Sequence, residues 1–289
     1  MQTQRRHVVL TLVQKHVPSF VLAITPVFKG QDYATVKNWF NTVLNYGAQK
    51  NLPVIGIGPD GDSKFRKYFP EEFSIRPRLT DRTVSIPHRG FYFVSVIKVM
   101  DGVTVPTFMF PDWKHLIKKW HNQIFNVPRI LVLGKGFAKI EELMKLYETK
   151  KLEGGLWKSD IFVKVHQNVD AAIRILQPQL RTCLKNWHQQ RTEAILSYLK
   201  VGHNLLRAFT EEKLSVKERS KLVWSVVCFV RLWKAWIEKS NHSVESSFIS
   251  LQTYQDMIHV IAGHSLILSM KLFSEYFPNQ PFSFIYIWF

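Results

Sequence analysis

The chain has 289 residues, 46% of them hydrophobic and 13% aromatic, and carries a formal charge of +17 with a pI near 9.9. Charged residues make up only 21%, and no long polar, low-complexity tract occurs, which excludes wholesale disorder and leaves apolar material for one large or two ordinary cores. The charge is spread, +9 over residues 1–125 and +8 over the rest, a broad positive field that suits a polyanion such as nucleic acid.

Residues 20–28 (FVLAITPVF) predict a strand ending near Lys29 and Gly30. Asp32 caps a predicted helix over residues 33–48, with Val36, Trp39, Phe40, Val43 and Leu44 on one apolar face. Residues 53–57 (PVIGI) predict a second strand, closed by Gly58, Pro59, Asp60 and Gly61, and a short basic helix follows over 63–69. Residues 92–99 are a further strand candidate in an irregular stretch. Residues 104–110 (TVPTFMF) give a third strand, stopped by Pro111. A helix then starts at Asp112 and carries Leu116, Ile117 and Trp120 inward. This alternation predicts an α/β layer with largely parallel strands over residues 1–125.

After Asn126 the pattern turns helical, and residues 126–289 are expected to form an all-α domain. Phe137, Ile140, Leu143, Met144 and Tyr147 make the first run. Val169, Ile173, Leu176, Leu180, Leu184 and Trp187 make the second, with Pro178 expected to kink it. Ala194, Tyr198, Val201, Leu205 and Phe209 follow, then Val216, Val223, Val227, Val230, Trp233 and Ile237. A last helix is expected over 247–277, divided near Gly263. Residues 281–289 (PFSFIYIWF) then read as a free, hydrophobic, β-like tail, an aggregation liability unless covered. Shortening of a longer protein accounts for such a tail.

Cys183 and Cys228 fall within apolar helical patterns and are expected to be small buried residues of a reducing compartment. Residues 1–6 are polar, and the apolar run behind them is broken by Gln14, Lys15 and His16, so no secretory leader is expected. The run 222–230 is too short to span a bilayer. The expectation is a nuclear or cytoplasmic protein with no membrane contact.

Two acids stand where a strand meets the next element, Asp60 and Asp112. Ligands of α/β sheets bind at the C-terminal strand ends, and carboxylates gathered there hold divalent metals for phosphodiester chemistry. The plainer alternative makes Asp112 a helix N-cap and places Asp60 and Asp62 in a tight turn.

Residues 112–122 (DWKHLIKKWHN) resemble the Asp-x-Pro-His-Leu-Ile/Leu-Lys-x-x-Arg-Asn segment of P-element and THAP-type DNA transposases. Asp112, His115, Leu116, Ile117, Lys118 and Asn122 fall on that pattern, while Lys114 replaces its Pro and His121 its Arg. PVIGIGPDGDSKFRKYF looks like the family's preceding strand-then-Asp segment. GGLWKSDIFVKVHQNVDAAIRIL resembles the start of the helical insertion that splits the RNase H-like core of these enzymes and, in the P-element transposase, binds GTP. The resemblance spans residues 20–277. It implies an RNase H-like layer, Asp112 and Asp60 as catalytic ligands of Mg²⁺ or Mn²⁺, and GTP as a possible ligand. DNA is the implied partner, with a second copy or a full-length transposase as others. His115, Lys118, Lys119, Lys64, Arg66 and Lys67 are the candidate DNA contacts.

The departures are as informative. The family's first catalytic Asp lies upstream of the FVLAITPVF equivalent, yet residues 1–19 hold neither Asp nor Glu. Its third acid, a Glu, follows the helical insertion. The expectation is therefore an incomplete RNase H-like layer that binds DNA without cutting it. The rivals are an active nuclease that borrows acids from another chain, and a helical nucleotide-binding or protein-interaction module on an α/β scaffold. Gly134, Lys135 and Gly136 lack the full phosphate-loop pattern and predict a turn. Neither His259 with His264 nor His115 with His121 has metal-pair spacing on one helix face. Trp224, Trp233 and Trp236 lie at largely helical spacing and are expected in the core.

Overall fold

The computed structural model describes residues 5–12, 20–26, 54–58, 95–98, 104–109, 285–288, and 112–264 apart from 127, 163–167, 188–191, 259 and 262. It also describes Ala34, Thr35, Asn38, Thr42, Asn45, Tyr46 and Gln49. The chain divides into two compact units, Met1–Asp112 with His259–Phe289, and Trp113–Ile258. The division thus falls after Asp112 rather than at the expected Phe125, and the C-terminal segment belongs with the first unit.

The first unit holds a six-stranded sheet of β1 (Arg5–Leu12), β2 (Phe20–Pro26), β3 (Val54–Gly58), β4 (Ser95–Lys98), β5 (Thr104–Met109) and β8 (Ile285–Trp288), in the order β2-β1-β8-β3-β5-β4. It is mixed, not largely parallel as expected. β8 and β3 pair in parallel, as do β3 and β5. β1 with β2, β1 with β8, and β4 with β5 are antiparallel. Chain length explains the difference: the links from β1 to β2 and from β4 to β5 are too short for a crossover, so only an antiparallel return is open to them.

β8 corrects a second expectation. The IYIW segment is not a free tail but an inner strand, paired from Val9↔Trp288 to Leu12↔Ile285 on one side and from Val54↔Ile285 to Gly58↔Trp288 on the other. Ladder bonds on both flanks remove the exposed edge that made the segment an aggregation hazard. The described residues between 34 and 49 are helical and exposed, which is the solvent face of the helix expected there. The basic helix expected over 63–69 lies outside the described residues.

The second unit is helical except for one hairpin. α1 (Trp113–Ile124) leads to β6 (Leu131–Leu133) and β7 (Gly136–Ala138), which pair antiparallel. The hairpin corrects the all-α expectation and places Phe137 on a strand, not at the head of a helix. Gly134 takes a φ of 60° in the turn between the strands, a conformation open to a residue without Cβ. Then come α2 (Ile140–Lys150), α3 (Lys158–Ile161), α4 (Val169–Ile175), α5 (Pro178–Asn186), α6 (Glu193–Thr210), α7 (Val216–Lys239) and α8 (Val244–Ser247). A further helical stretch covers 251–258.

Pro178 does more than kink the second predicted run. It stands at the first position of α5, where its missing N–H costs nothing, and the chain breaks there into two helices. Ser215 and Glu218 form a capping box that starts α7, with the Ser215 amide donating to Glu218 at 2.9 Å.

α6 is the axis of this unit, contacting α1, α5, α7, β6 and β7. Its Ile195, Tyr198, Leu199 and Leu205 are fully buried, as are Val223, Val227, Val230 and Ile237 of α7. Gly202 lets the indole of Trp120 lie against the α6 backbone: a Cβ there would stand 2.5 Å from Trp120 Nε1 and 2.6 Å from Leu176 Cδ2.

Candidate functional site

The parallel strands define the edge at which a ligand is expected. Ile57 pairs with Met109 and Gly58 with Trp288, so the C-terminal ends of β3, β5 and β8 lie side by side. Asp112 follows β5 by three positions, is half-buried, and immediately precedes the first residue of α1. A carboxylate at this position complements the positive end of a helix dipole. Asp60 follows β3 by two positions and lies outside the described residues, as do Lys64, Arg66 and Lys67. β8, which stands between β1 and β3, is built of Ile285, Tyr286, Ile287 and Trp288 and contributes no acid.

Among the described residues no group of three His, Cys, Asp or Glu side chains is placed to hold a metal. One described carboxylate is a poor match for a two-metal centre, which needs several oxygen ligands around each ion.

Helix α1 sorts its residues sharply by face. Leu116, Ile117, Trp120 and Ile124 are buried, as their spacing predicts, and His121 and Gln123 are buried with them. His115 and Lys118 are half-exposed. Lys119 takes another role: its ammonium pairs at 2.5 Å with Asp256, a carboxylate only 3% exposed. Gln123 fastens the same segment, accepting from the Ser250 amide and Arg129 at 2.8 Å each and donating to Thr253 Oγ1 at 3.1 Å. The inner side of the DWKHLIKKWHN helix is thus tied to residues 250–256. That tie has no signal in the local sequence, because Asp256 is 137 positions from Lys119.

A cleft of about 620 Å³ opens beside the hairpin, lined among others by Lys135, Phe137, Lys139, Glu142, Glu193 and Ser197. This lies within the size range of small-ligand sites. Phe137 is 47% exposed, and Lys139 Nζ sits 5.4 Å from its ring centroid. Glu142 Oε2 is buried without a hydrogen-bond partner. Gly134 and Lys135 form the expected turn and Gly136 opens β7, so no helix N-terminus points at a ligand as in a phosphate loop. Two ammonium groups and an exposed ring thus share this cleft with two carboxylates.

The tryptophans and cysteines divide where the sequence suggested uniformity. Trp233 is in the core, its indole N–H donating to the Val132 carbonyl at 2.6 Å. Trp224 and Trp236 are 46% and 39% exposed. Cys183 is half-buried, with burial raising its thiol pKa, while Cys228 is exposed, contrary to expectation. Among the described residues no helix is long and apolar enough to cross a membrane.

No protein-family model and no curated protein matches the sequence. Among solved structures, the chain is similar to a Drosophila P element transposase in its strand transfer complex, with a TM-score of 0.60 at 13% identity. The match covers 96% of this chain and 65% of that one, so this chain spans about two thirds of the length of the protein it resembles. The fold of this chain is transposase-like.

Proposed function

We propose that this chain is a transposase-related DNA-binding protein in which metal-dependent strand cleavage and transfer are lost. The observation that carries the reading is the fold likeness to the P element transposase across 96% of the chain. The mixed sheet, with three parallel strand ends at one edge, supports an RNase H-like layer. The +17 charge supports a polyanionic partner. Loss of catalysis is supported by β1, the strand that precedes and pairs with β2, which carries neither Asp nor Glu where the resemblance implies the family's first catalytic acid.

In this reading Asp112, with Asp60, is the remnant of the metal centre. His115 and Lys118, with Lys64, Arg66 and Lys67, contact phosphates, whereas Lys119 holds Asp256 and serves the fold. Incubation of the purified protein with DNA and Mg²⁺ or Mn²⁺ tests the loss of catalysis. No strand cleavage is expected. Metal-dependent cutting that Asp112→Ala abolishes would overturn it.

A second reading, a nucleotide-binding module, is favoured by the cleft beside the hairpin. Lys135 and Lys139 would hold the phosphates of GTP, and Phe137 would stack on the base. Calorimetric titration with GTP separates the readings: saturable binding without DNA affinity supports the second alone.

A further inference from the structure

One face of the β6–β7 hairpin carries an alternation that the core does not use. Lys135, Phe137 and Lys139 stand at every second position, and all three line the cleft of about 620 Å³, whereas Ala138 between the last two is buried. Alternate positions of extended chain share a face and lie roughly 6–7 Å apart. A ring is thereby set between two ammonium side chains. Phe137 is 47% exposed, and Lys139 Nζ reaches to 5.4 Å from its ring centroid.

The hairpin is held firmly from behind. Val132, which pairs with Phe137 across the strands, accepts the Trp233 indole N–H at 2.6 Å, and Leu131 and Ala138 are buried. Gly136 lets β7 lie on the head of α6, where a Cβ would stand 3.1 Å from Ala194 Cβ. Glu193 and Ser197 of α6 and Phe229 of α7 extend the cleft wall from there. A ring anchored in this way needs little reordering when a flat ligand stacks on it.

Charge decides which flat ligand fits. Lys135 and Lys139 are matched in the described lining by Glu142 and Glu193, which leaves no formal net charge there. A free nucleoside triphosphate, with its negative charges crowded at one end, gains little from such a balance. A nucleic-acid strand instead brings one charge per nucleotide, on either side of each base, which suits one ammonium on either side of one ring. We propose that the hairpin cleft holds an unpaired stretch of a DNA strand, with a base stacked on Phe137 and the flanking phosphates on Lys135 and Lys139. The incoming base takes the ring from the Lys139 ammonium, which then meets the phosphate. Bases inside a duplex are excluded, because their faces are covered by the neighbouring pairs. The proposal rests on the DNA-binding reading and adds to it a preference for the form of the strand.

The test titrates the full chain by fluorescence anisotropy against a blunt DNA duplex and the same duplex with a single-stranded extension, and by calorimetry against GTP. The extended duplex should bind about tenfold tighter or more, the effect of stacking one base on an aromatic ring. Phe137→Ala should remove that advantage and leave the blunt duplex bound as before, while Phe137→Trp should keep it. Circular dichroism of both variants checks that the half-exposed position tolerates the change. Equal affinity for the two DNAs, an advantage that survives Phe137→Ala, or a loss shared by both DNAs overturns the proposal and leaves the DNA-binding reading standing. Failure to bind either DNA removes that reading and the proposal together. Saturable GTP binding that Phe137→Ala abolishes, with no advantage for the extension, assigns the cleft to a free nucleotide and overturns the proposal as well.

Discussion

The rings of Trp120 and Tyr198 stack with 4.4 Å between centroids and 9° between planes, and the Tyr198 hydroxyl donates to the Trp120 carbonyl oxygen. The pair joins α1 to α6, so it couples the DWKHLIKKWHN helix to the axis of the helical unit. Burial holds the Tyr198 phenol pKa well above its ordinary value, so the hydroxyl stays a donor. Tyr198→Phe should cost about 1 kcal/mol, the net value of one hydrogen bond, whereas Trp120→Ala should cost about 3–5 kcal/mol. Urea denaturation of both variants checks the difference, with unchanged m-values if the fold is kept.

Asp160 is fully buried, and Arg174 is the cation that pairs with it. Arg174 grips it with two hydrogen bonds of 2.8 and 2.6 Å, and the Trp157 amide adds a third at 3.0 Å. Removing the guanidinium leaves a carboxylate in a dry site. Arg174→Ala should therefore cost about 3–5 kcal/mol, and Arg174→Lys should recover only part of it because a point charge cannot replace the fork. Equal stability of all three proteins would show that Asp160 finds water in solution.

Much of this fold is legible in the sequence because hydrophobic period and strand-ending residues are local signals. Strands over 20–28, 53–57 and 104–110 correspond to β2, β3 and β5 within two residues at either end. β1 escaped because Val8, Val9, Leu10 and Leu12 place apolar groups on both faces, and an inner strand shows no clean alternation. The β8 segment reads as β-like in the sequence but not as an inner strand, since its partners Val9 and Gly56 are distant in sequence. At the site, the position of Asp112 at a helix head was legible. The ion pair that removes Lys119 from the exposed basic set depends on Asp256 and was not.

The three tryptophans of α7 should separate by mutation as they separate by exposure. Trp233→Ala removes a buried indole and its hydrogen bond to Val132, and should cost about 3–5 kcal/mol. Trp224→Ala and Trp236→Ala empty no core volume and should each change stability by about 0.5 kcal/mol or less. Equal losses at all three positions would mean that the outer pair is covered in solution.

Stability should fall with acidity partly through His203. Its folded pKa is about 4, below the ordinary value of about 6.5, so between these values the unfolded chain binds a proton that the folded one refuses. The contribution is complete above about pH 6.5 and is lost as pH falls toward 4. Between pH 7 and 4.5 in chloride the parent should lose about 1 kcal/mol relative to His203→Gln, after discounting for the half-buried ring. A difference that stays constant with pH would contradict this.

The central claim is that the basic surface of this transposase-like chain holds DNA by its phosphates, and salt dependence of binding tests it most directly. The affinity for a duplex, measured by fluorescence anisotropy over a range of salt concentrations, should fall steeply. The expected slope of log affinity against log salt is about −4 or steeper, as for several neutralised phosphates. Absence of binding at low salt, or an affinity indifferent to salt, would contradict it.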